Sequence, residues 1–278
     1  MIAVDWGTSS LRCYRLDAQG KIIESRASAD GILNVPAGRF PHVLQQQTAG
    51  WNETPIVMSG MVGSRQGWKE APYVQCPAGF DEIAAQLVEV RPGAWIVPGL
   101  TCRDSAGVPD VMRGEETQIL GCGAQGTLCL PGTHSKWVEV KNGRIERFST
   151  YMTGEAYAVL RQHSILGRMI EEGKPDERAF AQGVERAGDE GGLLHHLFGV
   201  RTRGLMGELG AGAAASYLSG IVIGHELRAQ GTRQFSVLGT AELAARYQRA
   251  ASVLGMEARL LDPDAGVRAL ARLGAMLA

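Results

Sequence analysis

The chain has no block of like charge and no paired cysteine spacing. Its 28 Lys and Arg offset 29 Asp and Glu to a formal charge of −1. No basic surface therefore answers a phosphate backbone, which excludes nucleic acid as a main partner. Cys13, Cys76, Cys102, Cys122 and Cys129 are odd in number and form no Cys-x-x-Cys step. They are expected as reduced, packed thiols of a cytoplasmic protein. Asp5 interrupts any apolar run at the start, so no signal peptide is expected. The long apolar stretch Gly210 to Ile223 carries Ser216, Tyr217 and Ser219 and runs into His225-Glu226. It is expected as a buried helix, with no membrane as partner. No Ser/Pro-rich tract marks a linker.

What is present centres on residues 2–16. A β-rich run, Ile2-Ala3-Val4-Asp5-Trp6, turns through Gly7-Thr8-Ser9-Ser10 and leaves as a second run from Leu11 to Leu16. Gly7 permits a tight turn and close approach of a ligand. Thr8, Ser9 and Ser10 bring hydroxyls and backbone N–H groups to the tip, the equipment of an anion cradle. Asp5, ending the entering strand, suits Mg²⁺ held mostly through waters. An ordinary N-terminal hairpin has the same outline. A second copy decides between them: Leu130-Pro131-Gly132-Thr133-His134-Ser135-Lys136-Trp137 repeats the Gly-Thr-x-Ser order between two β-rich runs. Each copy enters a third strand after a turn, at Gln19-Gly20 and at Asn142-Gly143. Two such hairpins imply two related domains sharing one nucleotide.

Between these hairpins the pattern predicts strands at Lys21–Ser28, Pro55–Gly60 and Ala94–Pro98. Helices are expected at Ala37–Trp51, with Pro41 in its first turn, and at Phe80–Val90. After the second hairpin come a strand at Arg144–Thr150 and a helix at Glu155–His163. Lys174–Phe198 is read as helical in pieces, and Glu208–Ala229 as a long helix of small residues packed on a sheet. The chain closes with a strand at Gln234–Gly239, a helix at Glu242–Leu254, a strand at Ala258–Asp262 and a helix at Asp264–Leu277. At 278 residues the chain accommodates two cores.

The Asp-x-Gly-Thr-Ser-x-x-Arg start and the later Gly-Thr-x-Ser turn resemble the two phosphate loops of the actin-like ATPase and sugar kinase superfamily. Three stretches, Asp5–Arg12, Met112-Arg113-Gly114-Glu115-Glu116-Thr117-Gln118 and Leu130–Lys136, together resemble the 2-dehydro-3-deoxygalactonokinase family. The resemblance covers essentially the whole chain. It implies an α/β fold of two ribonuclease H-like domains, each a mixed sheet with flanking helices, around a central cleft that closes to expel water. Residues 1–113 would carry the first phosphate loop and the sugar-acid site. Residues 114–278 would carry the second phosphate loop and the adenosine site.

The implied reaction is phosphorylation of a six-carbon keto-deoxy sugar acid at its 6-hydroxyl by ATP with Mg²⁺. By resemblance Gly7, Thr8 and Ser9 take the phosphates with Arg12 nearby, and Gly132, Thr133, His134 and Ser135 close on them. Lys136 is either a phosphate cation or a strand-surface charge. Gly239, Thr240 and Glu242, at a strand-to-helix step, are expected at the adenosine. Sugar kinases of the superfamily usually carry the base as an acid at a helix start in a Gly-Asp-type step; here Glu115 and Glu116 stand at that place and are favoured over Asp110, with Asp5 beside them. The substrate carboxylate calls for an arginine, Arg65 or Arg113. Ser59, Met61 and Trp68 belong to the loop expected around the sugar. Alternatives are another sugar-acid or amino-sugar kinase on this fold, or a non-catalytic ATP sensor. A homodimer is compatible with the sequence. His163, His195 and His196 have no partners at metal-ligand spacing and are read as structural.

Overall fold

The computed structural model describes residues 1–171, 173–262 and 265–277. The chain forms two compact units, Met1–Gly126 with Val138–Phe148 and Asp262–Ala278, and Thr127–Trp137 with Ser149–Leu261. Compactness thus groups residues 114–126 and the C-terminal helix with the first unit.

The first unit opens with β1 (Ile2–Trp6), β2 (Leu11–Leu16) and β3 (Ile22–Ser28), followed by α1 (Phe40–Gln47) and β4 (Ile56–Gly60). Then come β5 (Tyr73–Gln75), α2 (Phe80–Ala84), β6 (Val88–Arg91), β7 (Ala94–Ile96), β8 (Gly99–Arg103), β9 (Pro109–Met112) and α3 (Glu115–Cys122). Six strands form one sheet in the order β3-β2-β1-β4-β7-β6, and β5-β8-β9 form a small sheet. In β1, Asp5 alone is not buried, and every residue of β4 is buried. That is the composition a central strand covered on both faces requires. β1 runs antiparallel to β2 and parallel to β4, setting Asp5 opposite Arg12 on one side and Ser59 on the other. Trp6 and Phe40, ring centroids 5.4 Å apart, anchor a core completed by Leu11, Leu44, Trp51, Met58 and Ile96. Pro41 lies in the first turn of α1, where its missing N–H costs nothing.

The helix expected over Phe80–Val90 is a correction. It ends at Ala84, and Val88–Arg91 is β6, paired antiparallel with β7. Val88 and Val90 also fit a strand's alternation, and sheet pairing decides over the weak helical period. β5, β8 and β9 were not anticipated; they are short and poor in apolar alternation.

The chain continues with β10 (Gly126–Leu130), β11 (Ser135–Lys141), β12 (Arg144–Tyr151), α4 (Thr153–His163), α5 (Glu177–Arg186) and α6 (Gly192–Leu205). It ends with α7 (Ala211–Gln230), β13 (Gln234–Val237), α8 (Ala241–Val253), β14 (Glu257–Leu260) and α9 (Ala265–Ala275). The first residue expected in the last helix, Asp264, lies outside the described residues. The second large sheet has the order β12-β11-β10-β13-β14. It repeats the β3-β2-β1-β4-β7 order of the first, so the doubled hairpin seen in sequence is one corner of a doubled sheet. β10, β13 and β14 run parallel.

α7 shares the second unit's core with strand residues Cys129, Trp137, Phe235 and Val237, and its small residues have a further use. They serve a helix crossing: a Cβ on Gly220 would lie 2.1 Å from Phe180 O, and one on Gly183 2.2 Å from Tyr217 O, so α5 and α7 touch backbone to backbone. Among the described residues no helix is long and apolar enough to cross a membrane. All five cysteines are free thiols, four of them buried.

Candidate active site

In the first unit the Gly-Thr-Ser-Ser turn closes through Gly7 N–H donating to Ser10 O at 2.9 Å. The carbonyls of Gly7 and Thr8 accept from Ile32 and Leu33 N–H at 3.0 and 3.2 Å. Gly31 makes this buttress possible, because a Cβ there would lie 2.3 Å from the Ser9 carbonyl carbon. Thr8, Ser9 and Ser10 remain exposed. Asp5 sits at the foot of the turn with Arg12 Nη1 3.9 Å from its carboxylate. Burial raises the Asp5 pKa, Arg12 opposes the rise, and the charge of Glu115 adds to it. Asp5, Arg12, Ser59 and Thr117 line one small cavity with Gln118 and Gly266. Thr117 Oγ1 donates to Gly114 O at 2.8 Å and lies 3.4 Å from Ser59 Oγ.

Gly60 and Gly114 let these elements meet. Both adopt positive φ (95° and 109°), and a Cβ on Gly60 would lie 2.7 Å from Trp6 O. Past Gly114 the two acids take different environments. Glu115 is half-buried, and one of its oxygens accepts from Arg113 N–H at 3.0 Å. Glu116 is fully buried. Its Oε2 accepts from Gly114 N–H at 2.7 Å, while Oε1 has no partner. Burial, and then the charge of Glu115, pushes the Glu116 pKa up to about 8.

This shift has a consequence for stability. The folded protein holds a proton on Glu116 that the unfolded chain, at the ordinary value of 4.5, releases. Stability therefore falls as pH rises from about 4.5 to about 8, with a limiting slope of about 1.4 kcal/mol per pH unit. Glu116→Gln should flatten the fall in thermal midpoint across this window. A variant that falls as steeply as the wild type would exclude Glu116 as the cause.

Arg113 and Arg65 also separate. The Arg65 side chain is 88% exposed and lies 3.6 Å from Glu70. Arg113 is 9% exposed, its Nη2 donates to Ala71 O at 2.7 Å, and its guanidinium stacks 4.4 Å from the Tyr73 ring. Arg113 Nε and Nη1 are buried without a partner. A Cβ on Gly63 would approach Nη1 to 2.9 Å, so the guanidinium lies against the loop that follows β4. Trp68 N–H donates to Val62 O and Ala71 N–H to Gly63 O, each at 2.9 Å, which ties that loop down. Met61 and Trp68 are half-buried and pack on the first unit's core. Asp110 lies on β9 in the small sheet, before the Gly114 turn at which α3 starts.

In the second unit Thr133 and His134 are exposed at the second turn, whereas Ser135 and Lys136 are buried. Lys136 Nζ donates back to His134 O at 3.2 Å. His134 Nε2 pairs with Glu155 of α4. The Glu155 N–H donates to Thr133 O at 2.9 Å, and a Cβ on Gly154 would lie 2.3 Å from Gly132 O. The turn is thus braced from behind by the start of α4. Gly239 lies beside it, 3.4 Å from Pro131 Cδ by its would-be Cβ, and Thr240 N-caps α8. Glu242, exposed in the first turn of α8, pairs with Arg246 at 3.2 Å. These two help line a cavity of about 680 Å³ with Tyr157, Phe180, Ser216 and Arg249.

Glu155, Arg246, Tyr157 and the brace Gly31 were not read from the sequence. Glu155 is a helix-start acid like many others, and Gly31 carries no local signal, since its contact lies some 20 residues away in sequence. Among the described residues no group of three or more His, Cys, Asp or Glu side chains is placed to hold a metal.

The repeated sheet order, each copy bearing a hydroxyl-tipped turn, defines the actin-like ATPase and sugar kinase fold. A solved activator of 2-hydroxyisocaproyl-CoA dehydratase from Clostridium difficile, with bound ADPNP, shares it at TM-score 0.52 and 12% identity, over 99% of this chain and 93% of that one. Closer relatives narrow the class. The profile of the 2-keto-3-deoxy-galactonokinase family matches residues 5–273, and the chain belongs to that family of phosphotransferases. It is 36% identical to the 2-dehydro-3-deoxygalactonokinase of Escherichia coli K12, covering 97% of each chain. It is 38% identical to the protein named Probable 2-dehydro-3-deoxygalactonokinase DgoK1 of Rhizobium meliloti, over 96% of this chain and 94% of that one. A crystal structure of a candidate 2-dehydro-3-deoxygalactonokinase from Sinorhizobium meliloti superimposes with TM-score 0.90 at 35% identity, covering 99% and 98% of the two chains.

Proposed function

We propose that this chain transfers the γ-phosphoryl group of ATP to the 6-hydroxyl of 2-dehydro-3-deoxy-D-galactonate, giving the 6-phosphate and ADP. The observation that carries the reading is the Gly114-Glu115-Glu116 step. It sets a half-buried carboxylate in charge contact with Asp5, on the same unit as a buried Arg113 whose Nε and Nη1 have no hydrogen-bond partner. Glu115 takes the proton of the 6-hydroxyl as that oxygen attacks phosphorus. Glu116, buried, holds the Gly114 turn and the start of α3 in place. Arg113 answers the substrate carboxylate, where a planar fork fits better than an ammonium. Ser59, Met61 and Trp68 line the sugar's side.

Phosphoryl transfer needs positioning and charge neutralisation more than covalent chemistry from the protein. The first turn, with Gly7, Thr8, Ser9 and Arg12, and the second, with Gly132, Thr133 and His134, supply N–H and hydroxyl donors for the phosphates. Ser135 and Lys136 support the second turn from within. Gly239, Thr240 and Glu242 take the adenosine, with the 680 Å³ cavity beside them as the room for it. Asp5 offers the hard oxygen donor that Mg²⁺ favours. When bound, Mg²⁺ neutralises charge on the β- and γ-oxygens. We place the reaction in the cytoplasm, with residues 1–113 carrying the sugar-acid part and a homodimer as the working form.

Coupled ADP release tests the reading. Turnover is expected with purified 2-dehydro-3-deoxy-D-galactonate and at least roughly tenfold less with its gluconate epimer, a difference of one hydroxyl contact. Equal rates on both epimers would remove the substrate assignment, and no ADP release with either would remove the kinase.

A further inference from the structure

Glu226 is an acid in the most apolar helix of the second unit and is 2% exposed. A buried carboxylate is costly unless its oxygens are answered by donors. Here they are. Trp137 Nε1 donates to Oε1 and Tyr247 Oη to Oε2, both at 2.7 Å. The hydroxyls of Thr153 and Ser135 also bond the carboxylate. Ser135 Oγ lies 2.9 Å from Tyr247 Oη. Because Tyr247 gives its proton to Glu226, the Ser135 proton also points inward, to the tyrosine oxygen or to the carboxylate.

One carboxylate on α7 therefore holds four groups from three other elements. Ser135 and Trp137 open β11 directly after the second Gly-Thr turn. Thr153 begins α4, whose next two residues brace that turn at Gly132 and Thr133. Tyr247 lies on α8, one turn after the Gly239–Glu242 step. An apolar residue at 226 would fill the space without burying a carboxyl group. It would not fix the rotamers of these four side chains at once. The directionality of the bonds is what the acid adds.

We infer that Glu226 is a positioning residue for the donor nucleotide: it sets the second phosphate turn against α4 and α8 without touching the nucleotide itself. The inference rests on the kinase reading above. It also assigns Ser135 to anchorage, leaving Thr133, His134 and the turn's backbone to meet phosphate.

Glu226→Gln keeps the shape but replaces an acceptor oxygen by an NH₂ set against a donor. Steady-state kinetics and thermal midpoints should be measured on this variant, on Tyr247→Phe and on the wild type. Wild-type ADP release is measured first, and its absence would fail the kinase reading itself. With an active wild type, Glu226→Gln is expected to lower kcat/KM for ATP roughly tenfold or more, as a displaced positioning contact does. KM for the sugar acid should stay within about twofold of wild type. Tyr247→Phe should show the same split to a smaller degree, and it serves alone if Glu226→Gln does not fold. Wild-type kinetics in a folded variant would overturn the inference. So would equal losses toward both substrates that follow the drop in thermal midpoint, because that is the behaviour of a purely structural residue.

Discussion

Glu115→Gln should lower kcat by roughly 10²- to 10⁴-fold, the range a positioned general base contributes, while leaving the KM values for ATP and sugar acid within about threefold. The expectation follows from how the two neighbouring acids differ. Glu115 is half-buried and close enough to raise the pKa of both Asp5 and Glu116 by its charge. Its side chain is held by Arg113 N–H at 3.0 Å, which fixes the carboxylate without removing it from solvent. Glu116 is sealed, and burial keeps a proton on it up to pH about 8, so it is the poorer acceptor of a substrate proton. Glu116→Gln, which keeps the bond to Gly114 N–H, should therefore cost less than tenfold in kcat under the same conditions. Single-turnover measurements on both variants separate chemistry from product release. A Glu115→Gln enzyme within tenfold of wild type, beside a crippled Glu116→Gln, would reverse the two roles.

The sequence held the two acids but not their difference. Gly114-Glu115-Glu116-Thr117 signals a helix start, and two adjacent positions on a helix point about 100° apart. Which of them faces the interior depends on α9, against which α3 packs so closely that a Cβ on Gly121 would lie 2.0 Å from Ala265 O. That contact joins residues some 140 positions apart, beyond any local pattern. The hairpins were legible for the opposite reason. Their strands pair with sequence neighbours, and Gly7 and Gly132 mark turns that the local chain alone demands. The Phe80–Val90 misreading belongs to the first kind, because only pairing with β7 makes Val88–Arg91 a strand. Ser135 was legible as part of a phosphate-turn motif, whereas its bond to Tyr247, itself bonded to Glu226, joins residues roughly a hundred positions apart.

Arg113 should govern whether the enzyme recognises the acid in its sugar acid. A guanidinium 9% exposed, with Nε and Nη1 buried and lacking a hydrogen-bond partner, has donors left for a ligand. Tyr73 on one face and Ala71 O at Nη2 hold its plane, so the side chain is organised before any ligand arrives. An arriving carboxylate then meets a donor set that has already lost its rotamer freedom. Losing one partner of such a desolvated charge pair costs about 2–5 kcal/mol, or roughly 30- to 5,000-fold in affinity. Arg113→Lys keeps the charge but not the fork, and it should raise KM for the sugar acid at the lower end of that range. Arg113→Met, which fills much of the same volume, should fall at the upper end, with KM for ATP unchanged. The decisive comparison uses an analogue whose carboxylate is replaced by a neutral hydroxymethyl group. Wild type should discriminate strongly against it, and Arg113→Met should treat acid and analogue nearly alike. If the variant still prefers the acid by the wild-type factor, the carboxylate is held elsewhere, and Arg65, 88% exposed beside Glu70, becomes the residue to test.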